Sequence, residues 1–261
     1  MAKNYNSELI FTKNAAQVAG EMLMGNFGCA VMDGKSDHDV GTQPERDAED
    51  HIKKLIQEQY PEHNIHGEET GKQDKGSQYT WIIDPLDGTR NYLHRIPYFS
   101  VSIAFQVGSE IVLGVVYNPY THDLVYAQKG LGAFNGDQRL TVPPDKTKLA
   151  DAVIGSDWGG SEKDDGTIRR GIRNLERLIF ASRSVVVHFS PALDLCQIAM
   201  GRMDVLVTLS TEVEDHAAGA LIVQEAGGVV TNVGSETWDF RTRGILAANV
   251  HLHHATQALL E

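Results

Sequence analysis

The sequence predicts a layered α/β protein, mixed in class (α+β layered), made of two closely packed halves. Two observations point there. Helical periodicity early in the chain gives way, from residue 79 to residue 134, to β-rich runs separated by short turns. Beyond Pro143-Pro144-Asp145, short strand-like segments alternate with helical ones, the pattern of stacked α/β layers. The Pro-Pro-Asp stretch divides the chain into residues 1–143 and 144–261, and a length of 261 residues suits one large domain or two packed halves.

Each element has a local reason. Leu9, Ile10, Ala16, Val18, Ala19, Met22 and Leu23 recur at helical spacing, so residues 7–27 form an amphipathic helix. Residues 32–43 are polar and glycine-containing, which reads as a loop. Pro44 then suits the first turn of a second helix, with Thr42 or Gln43 as its cap and Ala48, Ile52, Leu55 and Ile56 as its buried stripe. Residues 63–67 and 79–84 are strands. Residues 98–107 and 110–117 alternate on either side of Gly108-Ser109 as antiparallel neighbours, and 123–128 and 133–134 continue the rhythm. In the second half, 152–155, 204–209, 229–230 and 245–247 read as strands. Residues 165–180, 191–201, 215–226 and 251–260 read as helices, the second of these opened by Pro191 and closed by Gly201.

Composition narrows the function. The net charge of −12 excludes the clustered basic footprint of a nucleic-acid binder, yet permits a phosphorylated substrate, because bound metal ions invert local charge. No run approaches the ~20 apolar residues of a membrane helix, so no membrane partner is expected. The two cysteines, Cys29 and Cys196, lie far apart with no metal-ligand spacing, which fits a reduced cytoplasmic setting. Gly130-Leu131-Gly132 lacks the strand–loop–helix context of a dinucleotide loop, and 155–158 is no nucleophile elbow. His251, His253 and His254 read as surface histidines of a terminal helix.

The chemistry concentrates at Asp84-Pro85-Leu86-Asp87-Gly88-Thr89. An apolar strand ends there in two carboxylates, followed at once by a Gly-Thr turn and a helix start. Hard divalent cations seek clustered carboxylate and carbonyl oxygens, the Leu86 carbonyl included, and phosphate seeks a glycine-permitted backbone approach. Asp-Pro and Asp-Gly are also ordinary turn dipeptides. Glu68-Glu69 follows Gly67 at another strand end and gains meaning only if that end lies beside the first. Asp215 opens a helix whose run Ala217-Ala218-Gly219-Ala220 is built for close packing against other backbone.

Taken in order, Gly67-Glu68-Glu69-Thr70, Asp84-Pro85-Leu86-Asp87-Gly88-Thr89-Arg90-Asn91-Tyr92 and Asp215-His216-Ala217-Ala218-Gly219 resemble the three signatures of the inositol monophosphatase family. The likeness covers nearly the whole chain, and 118–119, 129–134 and 225–228 also look like family text. The resemblance implies alternating α-β-α-β-α layers in a lithium-sensitive homodimer. It implies a Mg²⁺-dependent phosphomonoesterase acting on a small phosphorylated metabolite, a polyol or sugar. Histidinol phosphate, fructose 1,6-bisphosphate and a 3′-phosphonucleotide are further substrates it allows. Two or three Mg²⁺ are implied: Glu68, Asp84 and the Leu86 carbonyl around one, Asp84, Asp87 and Asp215 around a second, Glu68 touching a third. Gly88, Thr89, Asp87 and Ser190 fall at substrate-binding positions. Thr89, backed by a carboxylate from an upstream helix, would orient the attacking water.

That carboxylate position falls on Glu45, where the family has Asp; Asp47 is the alternative. Lys35 lies in the stretch that resembles a mobile metal loop and reads equally as a surface lysine. Glu214 replaces a Trp before Asp215. Glu212 and Glu214 either select amino or hydroxyl groups on the substrate or point to solvent. Thr208 stands where inositol enzymes carry a Glu, and His188-Phe189-Ser190 replaces a Gly-Ser pair. A catalytically weak, regulatory member of the family is the rival expectation.

Overall fold

The computed structural model describes residues 4–31, 33–34, 40–158 and 165–260. The first half runs α1 (Asn6–Asn26), β1 (Asp33–Gly34), β2 (Val40–Gly41), α2 (Gln43–Gln59), β3 (Asn64–Gly67), β4 (Gly71–Gln73), β5 (Tyr79–Asp87) and α3 (Thr89–Leu93), then β6 (Ser100–Val107), β7 (Glu110–Asn118), β8 (Asp123–Gln128), β9 (Gly132–Asn135) and β10 (Gln138–Arg139). The second half runs β11 (Val153–Ser156), α4 (Asp165–Ala181), β12 (Ser184–Val186), α5 (Pro191–Ala199), β13 (Val205–Thr208), α6 (Val213–Glu225), β14 (Val229–Thr231), β15 (Ile245–Ala248) and α7 (Val250–Gln257).

Eight strands form one sheet in the order β10-β9-β8-β7-β6-β5-β3-β4, antiparallel throughout except where β3 runs parallel to β5. Five form a second large sheet, β12-β11-β13-β15-β14, parallel across its first three strands and antiparallel beyond, and β1 and β2 pair separately as a small antiparallel ribbon. Because successive side chains leave a strand on opposite faces, each sheet feeds two cores. Trp81, Ile83, Ile103 and Phe105 pack beneath α1 and α2 (Ala16, Leu23, Ile52). From the other face, Ile82, Ala104 and Val116 meet α5 and α6. Leu206, Ile245 and Ala247 of the second sheet close that same core, whereas Val205, Val207, Leu246 and Ala248 enter a third with Leu178 of α4 and Leu252 of α7. The order of layers is therefore helices, sheet, helices, sheet, helices, with the middle core shared by both halves.

The shared core depends on close approach. A Cβ on Gly114 of β7 would stand 2.5 Å from the Ala218 carbonyl oxygen of α6, and one on Gly219 would stand 2.7 Å from Leu195 of α5. The small-residue run of α6 is thus matched to the backbone it lies against.

Several elements differ from expectation. Residues 32–43, read as a loop, contribute β1 and β2, which pair antiparallel. β5 continues through Asp87, with a register break between Asp84 and Asp87 that leaves Pro85, which has no N–H to give, outside the ladder. And His253 is buried, its Nε2 3.0 Å from Thr231 Oγ1, because α7 turns that face onto the second sheet. No described helix is long and apolar enough to cross a membrane.

Candidate active site

β3 is parallel to β5 with Gly67 beside Ile83, and the Glu68 N–H donates to the Ile83 carbonyl at 3.0 Å. The two acidic strand ends are therefore neighbours, and the condition that gives Glu68 its meaning is met. A turn holds Glu68 in place: Glu49 of α2 accepts from the N–H groups of Glu69 (2.8 Å) and Thr70 (3.1 Å) and from the Thr70 hydroxyl. Gly67 is small for the same reason, since a Cβ there would stand 2.5 Å from Glu49 Oε1. Glu49 is a positioning residue that the sequence pattern hides, because it reads as one more acid on a helix.

Asp84, at the end of the regular ladder, accepts from the Leu86 N–H at 2.9 Å. Asp87 accepts from the Ser190 hydroxyl at 2.6 Å and the Leu193 N–H at 3.2 Å, so the start of α5 clamps it. Asp215 reaches the group from the other half of the chain. Its helix begins at Val213, two residues before the expected start, because Glu212 and Asp215 form a reciprocal capping box: Asp215 Oδ2 accepts from the Glu212 N–H at 2.7 Å, and the Glu212 side chain accepts from the N–H of Asp215.

Electrostatics binds the four into one cluster. Burial, then the neighbouring Asp215 and Glu45, pushes Glu68 well above the ordinary carboxylate range, and Glu68 hydrogen bonds to Asp84. Burial, then Glu68, Asp87 and Asp215, raises Asp84. Asp87 is raised by burial against the pull of the Ser190 hydrogen bond. Burial pushes Asp215 up to about 7 against the pull of the Glu212 N–H, with Glu214, Glu212 and Asp157 adding to the rise. Each member thus feels chiefly burial and other acids. Such a set either keeps protons or takes a cation, and its hard oxygen donors fit Mg²⁺. Among the described residues no three Asp, Glu, His or Cys side chains stand as a preassembled cation shell.

Beside the cluster, Gly88 adopts φ +95° and caps the short helix α3; a Cβ there would meet the Tyr98 carbonyl oxygen at 2.9 Å. Thr89 Oγ1 lies 2.9 Å from Glu45 Oε1 and 3.0 Å from the Leu86 carbonyl oxygen. Glu45 is the third residue of α2, and its Oε2 accepts from the Thr42 N–H at 2.9 Å while the Thr42 hydroxyl accepts from the Glu45 N–H at 3.2 Å. Burial raises Glu45 to about 7. Asp47, the alternative carboxylate, is exposed and bonds Gln43 on the surface. Lys35 lies outside the described residues.

The two acids before Asp215 do not behave alike. Glu214 makes a 2.7 Å contact with His66 Nε2; burial raises its carboxyl, but the His66 hydrogen bond, a backbone hydrogen bond and the charges of His66 and His216 together leave it below the ordinary value. Glu212 is half-exposed, pairs with Arg243, and is raised by burial and by Glu214. Both line a cavity of about 1030 Å³ that also touches His66, Glu68, Lys72 and Asp215. That cavity does not reach Gly88, Thr89 or Ser190, so it approaches the acids from the side away from the Gly-Thr turn.

Fold and site together define a phosphoric monoester hydrolase. The chain belongs to the inositol monophosphatase family, whose model matches residues 5–261. It is 34% identical over 254 residues to a fructose-1,6-bisphosphatase/inositol-1-monophosphatase of Aquifex aeolicus, covering 96% of this chain and 94% of that protein. It is 35% identical over 252 residues to inositol monophosphatase 2 of Solanum lycopersicum, covering 92% and 93%. The crystal structure of the extragenic suppressor protein suhB from Bartonella henselae superimposes with a TM-score of 0.91 at 32% identity, over 98% of both chains. The family hydrolyses phosphate monoesters and is metal-dependent, typically on Mg²⁺; its activity on phosphorylated sugars or polyols is the activity of this chain.

Proposed function

We propose that the chain hydrolyses its phosphorylated sugar or polyol at the Glu68–Asp84–Asp87–Asp215 cluster, with two or three Mg²⁺ held there. The observation that carries this reading is the gathering of four carboxylates from both halves, Asp84 and Asp87 buried and each of the four raised by desolvation with neighbouring acids adding to the rise, beside a glycine turn that opens a helix. Glu68, Asp84 and the Leu86 carbonyl would hold one ion and Asp84, Asp87 and Asp215 another, with Glu68 reaching a third. Bound Mg²⁺ supplies neutralising charge for the phosphoryl and leaving oxygens and lowers the proton affinity of water.

The chain's own residues do the rest. Gly88 and Thr89 offer backbone N–H groups to the phosphoryl oxygens. Thr89 Oγ1, donating to Glu45, keeps its lone pairs for a water proton, so it aligns a water opposite the leaving oxygen. As the water oxygen bonds to phosphorus, the ester P–O bond breaks with its electron pair going to the leaving oxygen, which takes a proton from solvent, while the water's proton passes to Thr89 Oγ1 and the Thr89 proton to Glu45 Oε1. A carboxyl raised to about 7 is well matched to that exchange near neutral pH. Ser190 acts through Asp87, holding its carboxylate in place. Glu212 serves the site by capping α6 and so setting Asp215. Lithium sensitivity, typical of the family, belongs to the same reading. So do a cytoplasmic setting, which the unpaired Cys29 and Cys196 among the described residues suit, and the homodimer that the family resemblance implies.

Phosphate release from a panel of monoesters, with Mg²⁺, without it and with added Li⁺, tests the reading. Mg²⁺-dependent turnover of one ester above the others is expected. Folded protein that binds Mg²⁺ and turns over none would move the assignment to a regulatory role.

A further inference from the structure

One face of α2 carries a polar stripe into the interior. Glu45, Glu49 and Lys53 stand four residues apart, so they share that face, and all three are buried, while Ala48, Ile52 and Ile56 fill the stripe beside them with core. Glu45 reaches Thr89, and Glu49 reaches the turn after β3. Lys53 does neither. Lysine is rarely buried unless it is paired, so its place calls for a partner. Lys53 Nζ donates to Thr70 Oγ1 at 3.1 Å; its contact with Asp50 Oδ1, at 3.5 Å, is a long one to an exposed acid.

The bond from Lys53 gives the Thr70 hydroxyl a direction. Its oxygen accepts from the ammonium, and its hydrogen goes to Glu49, which also accepts from the N–H groups of Glu69 and Thr70. A carboxyl group with no exposed surface needs those donors and a counter-charge close by, and Lys53, one helical turn further on, is that charge. Glu68 lies between Gly67, where a Cβ would collide with Glu49, and Glu69, whose N–H Glu49 holds. The chain Lys53–Thr70–Glu49 therefore grips the backbone on both sides of Glu68.

We propose that Lys53 and Thr70 are positioning residues for the metal ion that Glu68 would hold: acting through Glu49, they fix the turn that presents Glu68 and so set the affinity for that ion. This rests on the metal-site reading above and assigns the support behind it. Two effects compete at Lys53. Its charge repels a cation at Glu68, and its hydrogen bond orders the turn. Ordering is the larger, because Glu49 and Asp50 already offset the ammonium charge, whereas the Thr70 hydroxyl takes its direction from Lys53.

Calorimetric Mg²⁺ titration of the wild-type protein, Lys53→Met, Thr70→Val and Thr70→Ser tests this, with amide hydrogen exchange at Glu69 and Thr70 measured alongside. Glu68→Gln marks which binding step belongs to Glu68. Lys53→Met and Thr70→Val are each expected to raise the Kd of that step about 10- to 100-fold, the scale of losing a group that orients a metal ligand, and to speed exchange of both amides. Thr70→Ser keeps the hydroxyl and is expected to bind as the wild type does. A Kd unchanged or lowered in Lys53→Met and Thr70→Val overturns the proposal, even where the melting temperature falls, because a merely structural pair would give that result. Thr70→Ser as weak as Thr70→Val overturns it too. Wild-type protein that binds no Mg²⁺ overturns the metal-site reading itself, whereas variants equal to a wild type that does bind remove only the role of Lys53 and Thr70.

Discussion

The helices α2 and α6 approach the site from opposite halves of the chain, and each begins with a reciprocal capping box whose third-residue carboxylate faces the site. At α2 the cap is Thr42, fully buried, and Glu45 divides its two oxygens between the Thr42 N–H and the Thr89 hydroxyl. At α6 the cap is Glu212, half-exposed against Arg243, and Asp215 gives one oxygen to the Glu212 N–H while facing other acids. The same backbone device thus serves two chemistries. A side chain one methylene longer reaches a hydroxyl. The shorter one is held at a fixed point among other acids, and under the function proposed above the first would handle a proton and the second a cation. The comparison also accounts for Glu at position 45: a capping box calls for Glu or Gln at that place, and the extra methylene lets one carboxylate cap the helix and still reach Thr89.

Breaking the α6 side should have the largest effect. Asp215→Asn is expected to lower kcat/KM about 10³-fold, the scale of losing one charge partner of the transition state, and to weaken Mg²⁺ binding measured calorimetrically. Activity within a few-fold of wild type would remove Asp215 from the site.

On the α2 side, Glu45→Gln keeps the cap but cannot take a proton. It is expected to lower kcat about 10²- to 10³-fold while leaving the melting temperature within a few degrees of wild type. A large loss of stability with kcat preserved would reduce Glu45 to a capping residue. Ser190→Ala, which frees Asp87 without touching either helix, is expected to weaken Mg²⁺ affinity about 10- to 100-fold.

The two boxes share a pH signature. Burial raises both Glu45 and Asp215 to about 7, so in the metal-free protein each carboxyl holds its proton more tightly folded than unfolded. The folded state then loses stability as pH rises from about 4, the unfolded carboxylate range, to about 7. Thermal denaturation of metal-free protein should show the melting temperature falling through that window, and saturating Mg²⁺ should flatten the slope. A melting temperature that climbs through the same window would contradict the burial assigned to both groups.

The smallest effect separates the caps themselves. Thr42→Ala, which strips the hydroxyl from a buried helix start, should cost about 1 kcal/mol of stability. Glu212→Gln should cost less, because that cap is half-exposed and Gln still accepts from the helix N–H groups; equal losses in denaturant titrations would erase the distinction.

Much of this was written in the order of residues. Alternation placed the strands, Pro44 and Pro191 placed helix starts, and the Asp84-Pro85-Leu86-Asp87-Gly88-Thr89 run marked the chemistry, because strand period, ring closure at proline and turn chemistry are local properties. The small residues 217–220 announced a close contact, though not its partner. What tertiary structure alone decided is which local features meet. The parallel pairing of β3 with β5 puts Glu68 beside Asp84. Long-range packing brings Asp215, Ser190 and Leu193 to a cluster more than a hundred residues earlier in the chain. Glu49 read as one helix acid among several, and only the fold shows it holding the Glu68 turn. His66 and Glu214 carried no mutual signal, and neither did Lys53 and Thr70. Contacts of this kind depend on where whole layers stack. That is set by the fit of three hydrophobic cores along the entire chain, not by the residues on either side of the contact.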